Sequence, residues 1–194
     1  MNIATPKFGV GASALRKEDP KLIRGEGAFT DDIRAEGELR GFVLRSPYAA
    51  ARFVFNDLEA ARASEGVHLV LTAEDIAHLG PVICQTPLKQ PDGTKHALKH
   101  TPLLCDGEVR HVGDAVAFIV ADTLTQAQDA SELIDMDWEM IEAHAELATA
   151  LEDGRPLVWP DLGTNQAFLY RVGNAEATDA AFAKADHVTT IQFI

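Results

Sequence analysis

The hydrophobic pattern is clearest between Asp114 and Glu142. Ala115 to Ala121 is an unbroken apolar run flanked by Asp114 and Asp122, which reads as a strand covered on both faces. Thr123 to Leu133 then carries Leu124, Ala127, Ala130 and Leu133 at three-residue steps, predicting one apolar stripe on a helix. Thr123 and Gln126 are spaced as a capping box. Strict alternation follows: Asp135, Asp137 and Glu139 face one way, Met136, Trp138 and Met140 the other. That is the pattern of a half-buried strand. Strand, helix and strand with short joints predict a βαβ unit, right-handed, with its helix packed on the sheet.

Upstream the elements are shorter. Phe42-Val43-Leu44 between charged ends predicts a strand over Glu38 to Arg45, ended by Ser46-Pro47, with a second strand from Ala51 to Phe55. Asp57 to Ala63 reads as a short helix that Asn56 or Asp57 can cap and Gly66 stops. Val67 to Leu71 reads as a strand, and Thr72 to Asp75 as the capped start of another short helix ended by Gly80-Pro81. Residues 1–36, rich in glycine and charge and interrupted by Pro20, form an irregular entry segment. Residues 85–100 have no period, and Gln90-Pro91-Asp92-Gly93-Thr94 is turn chemistry. This stretch reads as a mobile loop of about 15 residues.

Between Asp135 and Asp161 there are eight acidic residues and one basic residue, Arg155, with Pro156 and Pro160 near the end. This marks a boundary. A strand (Asn165 to Arg171), a helix (Asn174 to Lys184) and a strand from His187 are expected beyond it. A last strand with an unpaired edge calls for a neighbour. Either the chain is a piece of a longer protein, or another chain supplies the next strand. The expected organisation is an N-terminal extension (1–15), a main α/β domain (16–145), an acidic proline-containing linker (146–164) and the start of a further domain (165–194).

Composition narrows the function. The formal net charge is −13, which argues against a phosphate-binding nucleic-acid surface and against docking on anionic lipid. The two cysteines, Cys84 and Cys105, exclude a disulfide-dense scaffold. No apolar run approaches the ~20 residues of a membrane span, and the first residues lack a secretory h-region. A cytoplasmic location is expected.

Candidate chemistry is thin. Gly9-Val10-Gly11-Ala12-Ser13-Ala14 matches a dinucleotide fingerprint, with Asp31 and Asp32 at a plausible distance, but its context lacks the strand before and the long helix after. His96 and His100 are four apart, and Cys84, Cys105 and His111 could complete a metal set. Pro91, Gly93 and Pro102 favour loop there, which makes solvated histidines the simpler reading. Asp31-Asp32 as an acid–base pair competes with backbone capping in a turn, and capping is the commoner role. Asp135, Asp137 and Glu139 read as the wet side of a sheet. No GxSxG elbow or Walker loop occurs, so no catalytic, cofactor-binding or metal-ligating residue is assigned.

Three stretches nevertheless carry a resemblance. The first is Arg16-x-x-Asp19-Pro20-x-Leu22-Ile23-x-Gly25-x-Gly27-x-Phe29-x-Asp31-Asp32-Ile33, with Gly37-x-Leu39 and Arg45-Ser46-Pro47. The second is Gly66-Val67 with Val70-Leu71-Thr72-Ala73-x-Asp75. The third is Pro102-Leu103-Leu104, Val109-Arg110-His111-Val112-Gly113-Asp114-x-Val116-Ala117, then Ala121-Asp122-Thr123 to Asp137-Trp138-Glu139. In this order they resemble the molybdenum-cofactor large subunit of the xanthine dehydrogenase/aldehyde oxidase family, in its α/β hammerhead domain. One departure is Tyr48-Ala49-Ala50-Ala51, where many relatives have histidines.

The resemblance implies a mixed α/β hammerhead fold followed by the start of a molybdopterin-binding domain. It implies an oxidoreductase that hydroxylates an aldehyde or N-heterocycle with oxygen from water. Molybdenum–pterin would serve as cofactor, with 2Fe-2S clusters and FAD on partner domains or subunits. The catalytic glutamate and pterin-binding loops of that family have no counterpart in residues 1–194. The segment is therefore expected to scaffold the cofactor domain and the docking of the redox partner. Its expected partners are the remainder of the large subunit or a separate cofactor-bearing chain, the iron–sulfur and FAD components, and a second copy through the exposed C-terminal strand. The rival reading is a free-standing adaptor that keeps the fold without redox chemistry.

Overall fold

A computed structural model describes residues 9–193 except 11, 13, 84, 86–88 and 94–98. The chain divides into two compact units, Met1–Glu38 and Leu39–Ile194. In the first, Pro20 does not break a helix. It sits in the first turn of a short one, α1 (Asp19–Leu22), where its missing N–H has no intrahelical partner to lose. Asp31 and Asp32 lie on a 3₁₀ turn, Thr30–Asp32.

The second unit contains β1 (Arg40–Arg45), β2 (Ala51–Asp57), α2 (Glu59–Arg62), β3 (Val67–Leu71), β4 (Glu108–Val109), β5 (Ala115–Ala121), α3 (Leu124–Glu132), β6 (Asp135–Met140) and α4 (Ala175–Ala183). The strands form two antiparallel three-stranded sheets, ordered β1-β5-β3 and β4-β2-β6. The mixed α/β class expected from the sequence is present. The βαβ expectation needs correction: β5, α3 and β6 do follow one another, but the two strands enter different sheets and never become parallel neighbours. The physical reason lies in β6, whose alternation pairs it with the amphipathic β2 (Phe53 opposite Trp138).

Two cores result. Ala117, Ile119 and Ala121 of β5 meet Val70, Ala61 and the α3 face of Ala127, Ala130 and Ile134. On the other side, Val116 joins Ala51, Phe53, Cys105 and Val109. Phe55 and Met136 pack against both. The expected α3 stripe also drifts: Leu124 and Leu133 are 47% and 50% exposed, whereas Ala127 and Ala130 are fully buried. Steps of three advance ~300° each, so four such positions spread across half a turn and only the middle pair faces the sheet. Two fully buried alanines let α3 approach closely.

Covering of β5 on both faces is only partial. Val116, Ala117, Ile119 and Ala121 are buried, while Phe118 and Val120 are half-buried. The β6 alternation holds for the acidic positions and for Met136 and Trp138, but Met140 is exposed.

Local chemistry explains the ends. The Thr123 hydroxyl accepts from Gln126 N at 3.2 Å and caps α3. Asp57 Oδ1 accepts from Glu59 N at 2.9 Å before α2, which is shorter than expected. That helix ends at Arg62 with Ala63 as its C-cap, short of the expected stop; Gly66, at φ +78°, instead leads into β3, and the Gln126 amide occupies the space a Cβ would need there. The helix expected from Thr72 is instead a run of turns ending in a 3₁₀ turn, Ala77–Leu79. Asp75 Oδ2 captures both Thr72 N (2.8 Å) and Thr72 Oγ1 (3.0 Å). These bonds hold its carboxyl below the usual range.

The stretch expected to be a loop is closed at its base by Val82 and Thr101, paired at 2.8 and 3.3 Å. The turn at Gln90–Gly93 is present, with Gly93 N bonded to Gln90 O at 2.9 Å. The strands expected at Asn165–Arg171 and from His187 do not form. Residues 166–193 are exposed throughout, and only α4, capped by Asn174 Oδ1 on Ala177 N at 3.0 Å, takes regular form. Strand conformation needs a ladder partner, and no described strand pairs with either segment.

Candidate functional site

Two of the segments that carried the resemblance come together in space. Arg45 ends β1 and Ser46-Pro47 follow it, Arg110–Asp114 precedes β5, and the two segments are sewn to each other. Ser46 N donates to Asp114 O and Gly113 N donates to Ser46 O, both at 2.8 Å. Arg45 Nη1 donates to Gly113 O, also at 2.8 Å. The Ser46 hydroxyl bonds Tyr48 N and O at 3.0 Å each. Gly113 holds φ +93° in this turn, a conformation that side chains with a Cβ rarely adopt.

Asp114 is the centre of the junction and is nearly buried. Its Oδ2 accepts from Arg110 N at 2.6 Å and His111 N at 3.1 Å, and its Oδ1 lies 2.8 Å from His111 Nε2. The other ring nitrogen of His111, Nδ1, is 2.9 Å from Val112 O. Cys105 lies beside this carboxylate, and burial, reinforced by the Asp114 charge, pushes its thiol up to about 11. Such a thiol is not a nucleophile near neutral pH.

A cleft of about 550 Å³ opens beside the junction. Its lining includes Ala49, Ala50, Arg52, Glu108, Arg110, His111 and Val112. Residues 141–145 with Pro156, Leu157, Val158 and Pro160 complete it. Arg52 lies between Glu108 (4.0 Å) and Glu139 (3.6 Å). Arg110 Nη2 pairs with Glu108 at 2.9 Å, its Nε donates to Val158 O at 3.2 Å, and its guanidinium lies 3.9 Å from the Trp159 ring centre. Lys99 sits 5.0 Å from the same ring and pairs with Asp161, holding that carboxyl below its usual range. The cleft is thus apolar with its cations already engaged. Tyr48, at the position of departure from relatives, packs edge-on against Trp138 with centroids 5.3 Å apart.

The weighed candidates do not gather here. Gly9 forms a turn with Ala12 N on its carbonyl at 3.1 Å, the next helix is only the four-residue α1, and Gly11 and Ser13 lie outside the described residues. Asp32 Oδ2 accepts from Phe29 N at 2.9 Å, which is a capping role. His96 and Cys84 lie outside the described residues. His100 is exposed, Cys105 is buried and His111 is bound to Asp114. Among the described residues no three His, Cys, Asp or Glu side chains gather as metal ligands. Asp135, Asp137 and Glu139 are exposed as expected. Sequence reasoning missed the parts played by Trp159 and Asn165. The signal available for Asn165, the start of an apolar run, pointed to a strand.

Two antiparallel three-stranded sheets, joined by hydrogen-bonded loops and with α3 packed on the first, make up the architecture around this junction. The chain belongs to the aldehyde oxidase and xanthine dehydrogenase family, whose a/b hammerhead domain matches residues 24–142. It is 32% identical to the carbon monoxide dehydrogenase large chain of Afipia carboxidovorans, over 95% of this chain and 23% of that protein. It is 30% identical to the nicotine 6-hydroxylase large subunit of Paenarthrobacter nicotinovorans, over 93% of this chain and 21% of that one. Its fold matches quinoline 2-oxidoreductase from Pseudomonas putida 86 with a TM-score of 0.66 and 34% identity, covering 83% of this chain and 20% of that one. The chain spans between a fifth and a quarter of the length of these relatives. No described helix is long and apolar enough to cross a membrane.

Proposed function

We propose that this chain is the hammerhead-bearing N-terminal part of the large subunit of a cytoplasmic molybdenum hydroxylase, and that it scaffolds the catalytic portion without taking part in the chemistry. The observation that carries this reading is the family match over residues 24–142, in a chain whose motif residues spend their polar groups on one another. The substrate class is an aldehyde or N-heterocycle hydroxylated with water-derived oxygen; two of the relatives are a nicotine hydroxylase and a quinoline oxidoreductase.

The described residues do not fit the molybdenum–pterin group. Such a group needs uncommitted donors in a cradle. Here every buried side-chain nitrogen and oxygen among the described residues already has a partner, and the cations lining the cleft are paired. When bound elsewhere in the enzyme, that cofactor supplies the oxidation of the carbon centre. This segment's contribution is position: it packs beside the cofactor portion and helps seat the iron–sulfur and FAD partners.

Deleting residues 24–165 from the whole protein should lower molybdenum content and partner association in the purified enzyme. Normal molybdenum in the deletion refutes the scaffold. The denatured mass of the polypeptide from its native source decides its context. A mass several-fold above 21.0 kDa with molybdenum supports a single long subunit. A 21.0 kDa chain with a molybdenum-bearing partner means a split one, and a lone metal-free chain leaves an adaptor.

A further inference from the structure

Residues 141–165 follow β6 and contain only two 3₁₀ turns, Leu147–Thr149 and Pro160–Leu162, yet they are tied down at specific points. Ile141 N still bonds Ala50 O at 3.1 Å. His144 Nε2 meets Thr149 Oγ1 at 2.8 Å. Asn165 then closes the segment on itself: its Nδ2 donates to Ala150 O at 3.0 Å and Pro156 O at 2.9 Å, and its Oδ1 accepts from Val158 N at 2.9 Å. Both donors and the acceptor of one amide are therefore used over residues 150–165.

The second tie comes from the core. Arg110, next to β4, donates through Nε to Val158 O and lays its guanidinium on Trp159, while Glu108 steadies its far end. The Val158 residue is thus gripped from both sides, its N–H by Asn165 and its carbonyl by Arg110. A planar guanidinium can donate in its plane and stack on a ring at the same time, which an ammonium cannot do. Lys99, paired with Asp161, also lies over the same ring, 5.0 Å from its centre.

We propose that residues 141–165 are a latched strap integral to the hammerhead unit, with Arg110 as the latch to the core and Asn165 as the internal clasp. The latch fixes where the chain leaves the unit at residue 166 and so positions the polypeptide C-terminal to that point. The folded unit therefore reaches beyond the matched span of 24–142, and Arg110 and Asn165 are positioning residues. The positioning half of this inference rests on the proposed scaffold role; the latch itself does not.

The test is hydrogen exchange by mass spectrometry on the whole protein and its variants. Arg110→Ala and Asn165→Asp should speed exchange in peptides covering 141–165 by about tenfold or more, with β5 and α3 unchanged as the control for folding. Arg110→Lys should restore only part of the protection, because it keeps the charge without the planar face. Arg110→Ala should also shift the tryptophan emission spectrum, and that shift should vanish in a Trp159→Phe background. Molybdenum content and partner association should fall in both loosened variants.

Exchange in the strap at the wild-type rate in both variants overturns the latch. A loosened strap with wild-type molybdenum and partner association overturns the positioning role. If an alanine variant does not fold, Arg110→Lys and Trp159→Phe serve as the milder pair under the same criteria. Should the 24–165 deletion retain molybdenum, the scaffold reading falls while the exchange data still decide the latch.

Discussion

Asp114→Ala is the sharpest test of the junction between the Ser46 and Gly113 loops. The carboxylate holds two backbone N–H groups, Arg110 N at 2.6 Å and His111 N at 3.1 Å. Hydrogen bonds to a charged group contribute ~1.5–3 kcal/mol each when made, but the His111 amide sits at an exposed residue, and water recovers part of its loss. The contact with the His111 ring, itself mostly exposed, adds little. The sum is a loss of about 2–4 kcal/mol for alanine.

Asparagine keeps one carbonyl oxygen where Oδ2 stands and loses only the charge, so Asp114→Asn should cost about half as much. For a chain of this size the alanine variant should melt roughly 5–15 °C lower. Urea unfolding followed by tryptophan fluorescence measures both, and an unchanged m-value keeps the comparison on stability alone. An Asp114→Ala midpoint equivalent to less than about 0.5 kcal/mol refutes the reasoning. The Ser46–Asp114 and Ser46–Gly113 backbone bonds alone would then hold the junction.

Three further outcomes are expected. Because burial raises Cys105 in the folded state to about 11, the unfolded chain deprotonates first. That contribution, on the order of 3 kcal/mol, is full below about pH 9 and is lost as pH rises through 11; Cys105→Ala should flatten this alkaline limb in unfolding titrations. Thr123→Ala removes the α3 cap and should cost about 1 kcal/mol, read by denaturation, while Thr123→Ser should be nearly silent. At Gly41 an added Cβ would lie 2.6 Å from the Phe118 ring, so Gly41→Ala should destabilise by about 1–3 kcal/mol. Phe118→Leu in the same chain should recover part of that loss, and absence of any recovery would show that the ring is not the obstacle.

Much of the fold was legible because its signals are local. Val67–Leu71 and Ala115–Ala121 appear with the boundaries their apolar runs predict, and the Thr123 cap sits where its spacing with Gln126 puts it. Pairing could not be read. Nothing in the run from Asp114 to Glu142 says that β6 leaves the sheet of β5, because that choice depends on β2, roughly eighty residues upstream. Nor does local pattern separate a strand from a segment outside any sheet, so residues 165–171 and 187–193 read as strands on periodicity alone. The strap ties were illegible for a similar reason. Arg110 and Trp159 lie far apart in sequence, and an asparagine that bonds Ala150, Pro156 and Val158 carries no spacing signature.

The candidate site has the opposite character. Its residues were singled out by resemblance, and the structure supplies the physical role that the resemblance left open. Motif residues in a catalytic site keep polar atoms free to meet a substrate, because catalysis needs groups that bind the reacting centre. Here the Ser46 hydroxyl is spent on Tyr48, the Asp114 carboxylate on Arg110 and His111, and the Arg45 guanidinium on Gly113. Gly113 supplies the positive φ that lets its own N–H and C=O serve Ser46 and Arg45 at once. The same four residues join β1 to β5 and set the rim from which Arg110 reaches the strap. A substitution among them should therefore be felt first as loss of rigidity at that rim.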